Sequence, residues 1–286
     1  MGALARCGDR HDSDSGRRAG LCDRPRRCAR ENRALTPKAA RGGTDGCVAA
    51  FVASEDRVRP NSVRSLSAVI CAYNEAGRIG HVLKSVVQHP YIGEVIVVDD
   101  GSSDATAAEA RSFAGVTVLT NSENRGKSWS LARGVAACSF DHVMLLDADL
   151  VGLSADHLTS LAAPVLDGVA DVTISLRRDS FYRAIGIDFV SGERVLPRAV
   201  LMQVLAELHS ASRWSAEVLI NQLIIERKLR LAIVDWDAVT HASKLSKQGL
   251  AGAFADLRMV HDILAELSAV GLVRQTLALR HAARLS

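Results

Sequence analysis

Val143-Met-Leu-Leu-Asp-Ala-Asp-Leu150 decides the reading of this chain. Four apolar residues run into two acids set one residue apart. The apolar run reads as a buried strand. A strand that ends in Asp-x-Asp delivers both carboxylates to one edge of a sheet, the edge where open α/β folds hold their ligands. Carboxylates this close repel and need a cation or a bound donor group between them.

The same pattern recurs upstream. "EVIVVDD" (94–100) is another apolar run that ends in two acids, Asp99 and Asp100. "LSAVICAY" (66–73) is an earlier buried strand, "VTVL" (116–119) a short one, and "DVTISLR" (171–177) a fifth. Helices fit between them. Ile79, Val82, Leu83, Val86 and Val87 share one helical face, with Asn74 as the expected cap and Pro90 as the stop. Asp104 is placed to cap a helix near 105–113, and a further helix follows near 128–138. Ser154 is placed to cap one whose Leu158, Leu161, Ala162 and Val165 face the same way. Strands alternating with helices predict a mostly parallel sheet covered on both faces, a Rossmann-like α/β fold. Farther on, "SGERVLPRAVLMQVLAEL" (191–208) reads as a loop and a helix with Pro197 near its first turn. Residues 215–228 read as a helix, and 229–242 as a strand running into a loop.

Composition narrows the class. With 48% hydrophobic and 23% charged residues, the chain has ordinary globular content. Residues 1–64 hold 14 Lys and Arg against 8 Asp and Glu, whereas the remainder holds 21 against 24. A nucleic-acid reader concentrates positive charge on its folded part, so that class is set aside. Residues 1–64 lack any helical or strand period and read as a disordered basic arm. Cys7, Cys22, Cys28 and Cys47 fall in that arm, and no C-x-x-C pair points to zinc. Cys71 and Cys138 read as buried thiols in a reducing, cytoplasmic setting. No apolar run reaches membrane-span length, and the start lacks the apolar core of a signal peptide. The arm precedes an ordered domain over 65–249. The segment 250–286 reads as amphipathic helices whose Leu257, Val260, Ile263, Leu264, Leu267 and Val270 share a face. Its mixed-charge polar face favours packing on the domain over a peripheral place at the inner membrane face.

Strand ends of a parallel sheet lie on one edge, so Asp99, Asp100, Asp147 and Asp149 are expected to converge. Oxygen ligands of this kind suit Mg²⁺ or Mn²⁺, either of which keeps open positions for diphosphate oxygens. A dinucleotide site would need G-x-G-x-x-G after the first strand, where this chain has "AYNEAGRIG" (72–80). A P-loop would need an earlier glycine than "NRGKSWS" (124–130) supplies, so Lys127 is a candidate phosphate or sugar contact and not a Walker lysine.

Taken together, "SAVICAYNE", "VIVVDDGSSDAT", "NRGKSWSLARGVA" and "LLDADL" occur in the order that resembles family 2 glycosyltransferases of the GT-A fold, over about residues 66–245. The later layout also resembles the glucosyl-3-phosphoglycerate synthases. "SGERVLP" stands at their acceptor loop, "RWSAE" at a helix start that is glycine-rich in them, and "VTHASKLSKQG" at their metal-binding histidine. "RWSAE" lacks those glycines, and the insertion before the acceptor loop is short, so the acceptor stays open between a small molecule and a lipid phosphate.

The resemblance implies a nucleotide-sugar donor (a UDP- or GDP-sugar), a divalent metal and a hexosyl transfer. It assigns Ala72, Tyr73 and Glu75 to the nucleoside pocket, Asp100 with Asp99 as support to the base or ribose, and Lys127 to the donor. Asp147 is assigned to ribose and metal, Asp149 to the metal, and His241 to the metal or the diphosphate. Ser191, Gly192, Glu193 and Arg194 are assigned to the acceptor loop. Glu217 is the candidate base for the acceptor hydroxyl, with a helix-dipole partner as its other reading, and a retaining reaction would need no such base. A homodimer stays open. A sugar-phosphate nucleotidyltransferase would carry a Gly-rich loop after the first strand, which is missing here. A non-catalytic nucleotide-sugar-binding protein of the same fold is the third reading. Deletion of residues 1–60 is expected to leave folding and turnover intact, and a truncated protein that fails to fold would make the arm structural.

Overall fold

Why the acids meet is visible in the strand order. β1 (Leu66–Ala72) lies between β2 (Ile92–Asp99) and β4 (His142–Asp147), parallel to both. β3 (Val116–Thr120) extends the sheet beyond β2. On the other side come β7 (Arg194–Pro197), β6 (Val172–Arg177) and β8 (Leu231–Trp236), giving the order β3-β2-β1-β4-β7-β6-β8. All run parallel except β7, which is antiparallel to both neighbours. The order reverses direction between β1 and β4, the switch point where open α/β sheets leave a crevice at the strand carboxyl ends. Register places Asp99 beside Ala72 and Asp147 beside Cys71, so the acids reach one edge. The computed structural model describes residues 66–211, 215–241, 268 and 270–283, all within one unit, Val58–Ser286. The basic arm and the face of residues 257–267 lie outside the described residues.

Two apolar cores cover the sheet. Strand side chains alternate between faces, so Leu66, Ala68 and Ile70 point one way and Val69 the other. The first group packs with α1 (Ile79–Val86), α2 (Thr106–Arg111) and α4 (Ala155–Leu166). The opposite face packs with α3 (Lys127–Ala137), α5 (Arg198–Met202), α6 (Leu205–Ser210) and α7 (Ala216–Glu226). Residues 270–283 are helical, and their Leu279 is fully buried in this second core. No helix among the described residues is long and apolar enough to cross a membrane.

Three local expectations need correction. Asn74 does not cap α1, whose N-cap is Arg78. Asn74 instead adopts φ 56° and accepts the Ser103 amide at 2.9 Å, tying the β1–α1 loop to the next turn. Asn tolerates that conformation because its short polar side chain bonds locally. "ERVLP" was expected in a loop, yet residues 194–197 form β7. Val195 and Leu196 are fully buried on opposite faces of the sheet, which only an extended chain allows. The single helix expected after Pro197 is two, α5 and α6, with a break at Gln203 and Val204. Ser154 behaves as read: its amide donates to His157 Nδ1 at 3.1 Å, a capping box with histidine in the reciprocal place.

Close packing of α3 on the sheet depends on Gly134. A Cβ there would lie 2.5 Å from Val69 Cγ1 and 3.1 Å from Val98 Cγ2, both in the core. Gly134→Ala gains up to about 1 kcal/mol of helix propensity. Overpacking against fixed strand side chains costs about 1–3 kcal/mol and wins. The variant is expected to lower stability in chemical denaturation, and adding Val69→Ala should restore part of the loss.

Candidate active site

Strand parity aims the first acid. Val143 and Leu145 face α3 and α7, and Asp147, two residues on, points the same way. There Lys127 Nζ, from the first residue of α3, donates to Asp147 Oδ1 at 2.7 Å and lies 2.8 Å from Glu217 Oε1 in the first turn of α7. Cys71, Leu131, Arg194 and Ile220 line the same small cavity.

Lys127 reaches this place because Asp100 pins the loop before it. Asp100 Oδ1 accepts from Asn121 Nδ2 at 2.7 Å and from the Arg125 amide at 3.0 Å, and its Oδ2 accepts from the Gly126 amide at 2.8 Å. Gly126 sits at φ 96°, a conformation that favours glycine. Asp100 is therefore buried with both oxygens committed to protein donors, where a contact to base or ribose was expected. Asp99 is buried beside it and accepts from the Ser102 amide at 3.3 Å.

A second group closes on Asp147 from β9 (Thr240–His241), which pairs antiparallel with β5 (Leu150–Val151). Pairing of Leu150 with His241 brings the ring to the Asp-x-Asp segment. His241 Nε2 lies 3.3 Å from Asp147 Oδ2, 3.9 Å from Asp149 Oδ1 and 3.4 Å from Glu193 Oε1. Ligand atoms of Asp147, Asp149 and His241 all fall within 4.8 Å of one another. Two carboxylates and an imidazole are a donor set that Mn²⁺ or Mg²⁺ accepts. His241 Nε2 is buried and makes no directed hydrogen bond, which fits an atom built to face a cation.

Burial alone would push the Asp147 carboxyl up, but Lys127 and His241 outweigh it and hold the group well below the usual carboxylate range. Burial would likewise lower Lys127, and Asp147 with Glu217 overcome it, holding the ammonium well above its ordinary value. Against burial, Asp147 and Glu193 raise His241 to about 10. Glu193 is depressed by Arg177 and His241 despite full burial. The Cys71 thiol is pushed up to about 12 by burial, with Lys127 only partly opposing, so it is an inert wall of the cavity.

The loop predicted to meet an acceptor lies across this cluster. A Cβ on Gly192 would stand 2.6 Å from Asp147 Oδ1 and 2.7 Å from Lys127 Nζ, so any larger residue must push these two side-chain ends aside. Arg194 is fully buried behind it, bonding the Ser191 carbonyl at 2.8 Å, the Phe189 carbonyl at 2.9 Å and Asn221 Oδ1 at 2.6 Å. Asn221 in turn donates to Gln275 Oε1 at 3.2 Å, in the helix at 270–283. Arg194 therefore braces the loop from within. Of the expected nucleoside residues, Tyr73 is exposed at the β1 end while Ala72 is buried. Glu75 pairs with Arg78, and its amide donates to Thr106 Oγ1 at 2.7 Å.

Residues 67–193 match the family described as Glycosyl transferase family 2. That stretch holds five of the seven strands of the sheet and is similar to family 2 glycosyltransferases. The 4,4'-diaponeurosporenoate glycosyltransferase of Staphylococcus aureus (strain USA300) is 38% identical over 103 residues, 34% of this chain. The match spans only 27% of that relative's own length. Among solved structures, glucosyl-3-phosphoglycerate synthase from Mycobacterium tuberculosis with Mn²⁺, UDP and phosphoglyceric acid superposes with a TM-score of 0.56 at 23% identity, over 71% of this chain and 78% of that one. Its complex with Mn²⁺ and UDP-glucose gives 0.54 at 25% identity over the same shares. The fold is thus GT-A: a mostly parallel seven-stranded sheet flanked by helices.

Sequence reasoning missed Arg177, Asn221 and Gln275. Arg177 ends β6 as Asp147 ends β4, and an ionisable residue closing an apolar strand was the available signal. Asn221 and Gln275 sit inside helices with no local mark, and only contacts distant in sequence give them a role. Gly192→Ala is expected to force Asp147 and Lys127 apart. Mn²⁺ affinity should fall about tenfold or more while circular dichroism keeps its wild-type form.

Proposed function

We propose that the glycosyltransferase domain moves a hexosyl group from a UDP-sugar to an acceptor hydroxyl or phosphate with the help of Mn²⁺ or Mg²⁺. The observation that carries this reading is the cluster of Asp147, Asp149 and His241 at the switch-point edge, faced by Lys127. UDP is preferred to GDP because structurally similar synthases were solved with UDP and UDP-glucose. Asp147, Asp149 and His241 would hold the metal. When bound, it supplies positive charge to a departing nucleoside diphosphate.

The chain's own residues do the rest. Lys127 now neutralises Asp147 and Glu217, and its flexible ammonium lies within reach of a diphosphate oxygen entering the same cavity. Tyr73 offers an exposed ring at the strand end on which a base can rest. Gly192 lies against Asp147 and Lys127, where an acceptor would meet the sugar. Glu217 is held 2.8 Å from Lys127, so release of that ammonium toward a diphosphate would free its carboxylate to accept an acceptor proton. The acceptor class favoured is a small phosphorylated hydroxy acid, by likeness to the synthase solved with phosphoglyceric acid.

Calorimetry with UDP-glucose and Mn²⁺ tests the reading. Wild-type protein is expected to bind the donor only with the metal, and Asp149→Ala to abolish that binding. Unchanged affinity in the variant would sink the metal assignment. GDP-glucose binding tighter than UDP-glucose would overturn the choice of base. Tight binding without hydrolysis or transfer to any acceptor tried would favour a non-catalytic role.

A further inference from the structure

We infer that Glu193 is a further ligand of the divalent cation, an additional carboxylate oxygen from β7's leading edge. The inference rests on the metal reading above and reassigns a residue read as part of the acceptor loop. Glu193 is fully buried. Its Oε2 is saturated: Ser175 Oγ donates at 2.8 Å, Ser191 Oγ at 2.7 Å, and the Arg177 guanidinium pairs with the same oxygen. Its Oε1 is buried and makes no directed hydrogen bond. That oxygen lies 3.4 Å from His241 Nε2, which is also buried without a directed hydrogen bond.

Neither atom makes a directed hydrogen bond, and the two meet only as a loose pair at 3.4 Å, which poorly repays the water each has lost. One cation between them satisfies both. Octahedral ligands at about 2.1 Å from Mg²⁺ place adjacent donor atoms about 3 Å apart, close to the separation seen.

The alternative is that Glu193 acts only through His241, as the outer carboxylate that orients a metal-bound imidazole. Such a carboxylate bonds the ring nitrogen that does not bind the metal. Here Glu193 faces Nε2, the same nitrogen that faces Asp147 and Asp149. The geometry therefore places Glu193 among the ligands and not behind one. Its surroundings fit that duty. Three donors clamp one oxygen, so the other is held in place before any ion arrives. Arg177 lowers the cost of burying the charge while bonding the opposite oxygen.

Electron paramagnetic resonance of free Mn²⁺ titrated into the full chain, with no nucleotide present, tests this. Glu193→Gln is expected to weaken Mn²⁺ binding at least tenfold, and unchanged affinity would overturn the inference. Where Glu193→Gln costs Arg177 its nearest carboxylate partner and the protein does not fold, Arg177→Met combined with Glu193→Gln removes both charges and is read the same way. The His241→Ala background separates the two roles. A ligand still loses several-fold affinity there on Glu193→Gln, whereas a residue acting through His241 loses none, and that result would also overturn the inference. Loss of Mn²⁺ binding in Asp149→Ala with none in Glu193→Gln would refute this inference and leave the proposed function standing.

Discussion

Asp147 is the point on which the site depends. One of its oxygens takes Lys127 and the other faces His241, residues that lie 114 positions apart in the chain. A carboxylate at the end of a buried strand cannot stand alone, because the desolvation cost would drive it to protonate. Lys127 on one oxygen and the His241 ring on the other keep it ionised. Removing one partner of a buried pair typically costs about 3–5 kcal/mol, so the charge balance is also a folding constraint. The helix that brings Lys127, the β5–β9 pairing that brings His241 and the glycine at 192 are all ordered around this one group.

That demand explains features that look unrelated. Asp100 spends its hydrogen bonds on the 121–126 loop, which fixes where α3 begins and hence where Lys127 stands. Gly152, at φ 81°, lets the β5–β9 pair approach closely: a Cβ there would meet the Ala238 carbonyl at 2.6 Å. Gly192 lets the neighbouring loop rest directly on the Lys127–Asp147 pair. At Gly152 the backbone comes closer than any other residue allows.

The second half of the domain works as a brace. Arg194 is buried with neutral acceptors as its bonded partners, an arrangement that burial alone would penalise. Glu217, Asp188 and Glu193 nearby offset only part of that penalty, and burial still holds the guanidinium below its ordinary value. Asn221 carries the network from Arg194 to Gln275, so the helix at 270–283 supports the 189–194 loop through three successive buried polar side chains. Satisfied networks of this kind rigidify, and a missing member leaves a buried donor stranded.

The alternation of apolar runs with helical periods was enough to read a mostly parallel α/β sheet, because burial on both faces writes continuous Val, Ile and Leu into each strand. Asp-x-Asp after such a run was enough to name Asp147 and Asp149, since a strand of fixed period has a definite end and definite faces. The likeness of four motifs in order pointed to the family. β7 was not legible: four residues are too few for a period, and Pro197 suggested a helix start as readily as a strand end. Asp100 was legible as a strand-end acid, but its partners come from a loop more than twenty residues away. The link from Gln275 through Asn221 to Arg194 had no local signal of any kind. Periodicity is local and survives in the sequence, whereas which buried donor meets which acceptor is settled only when distant segments pack.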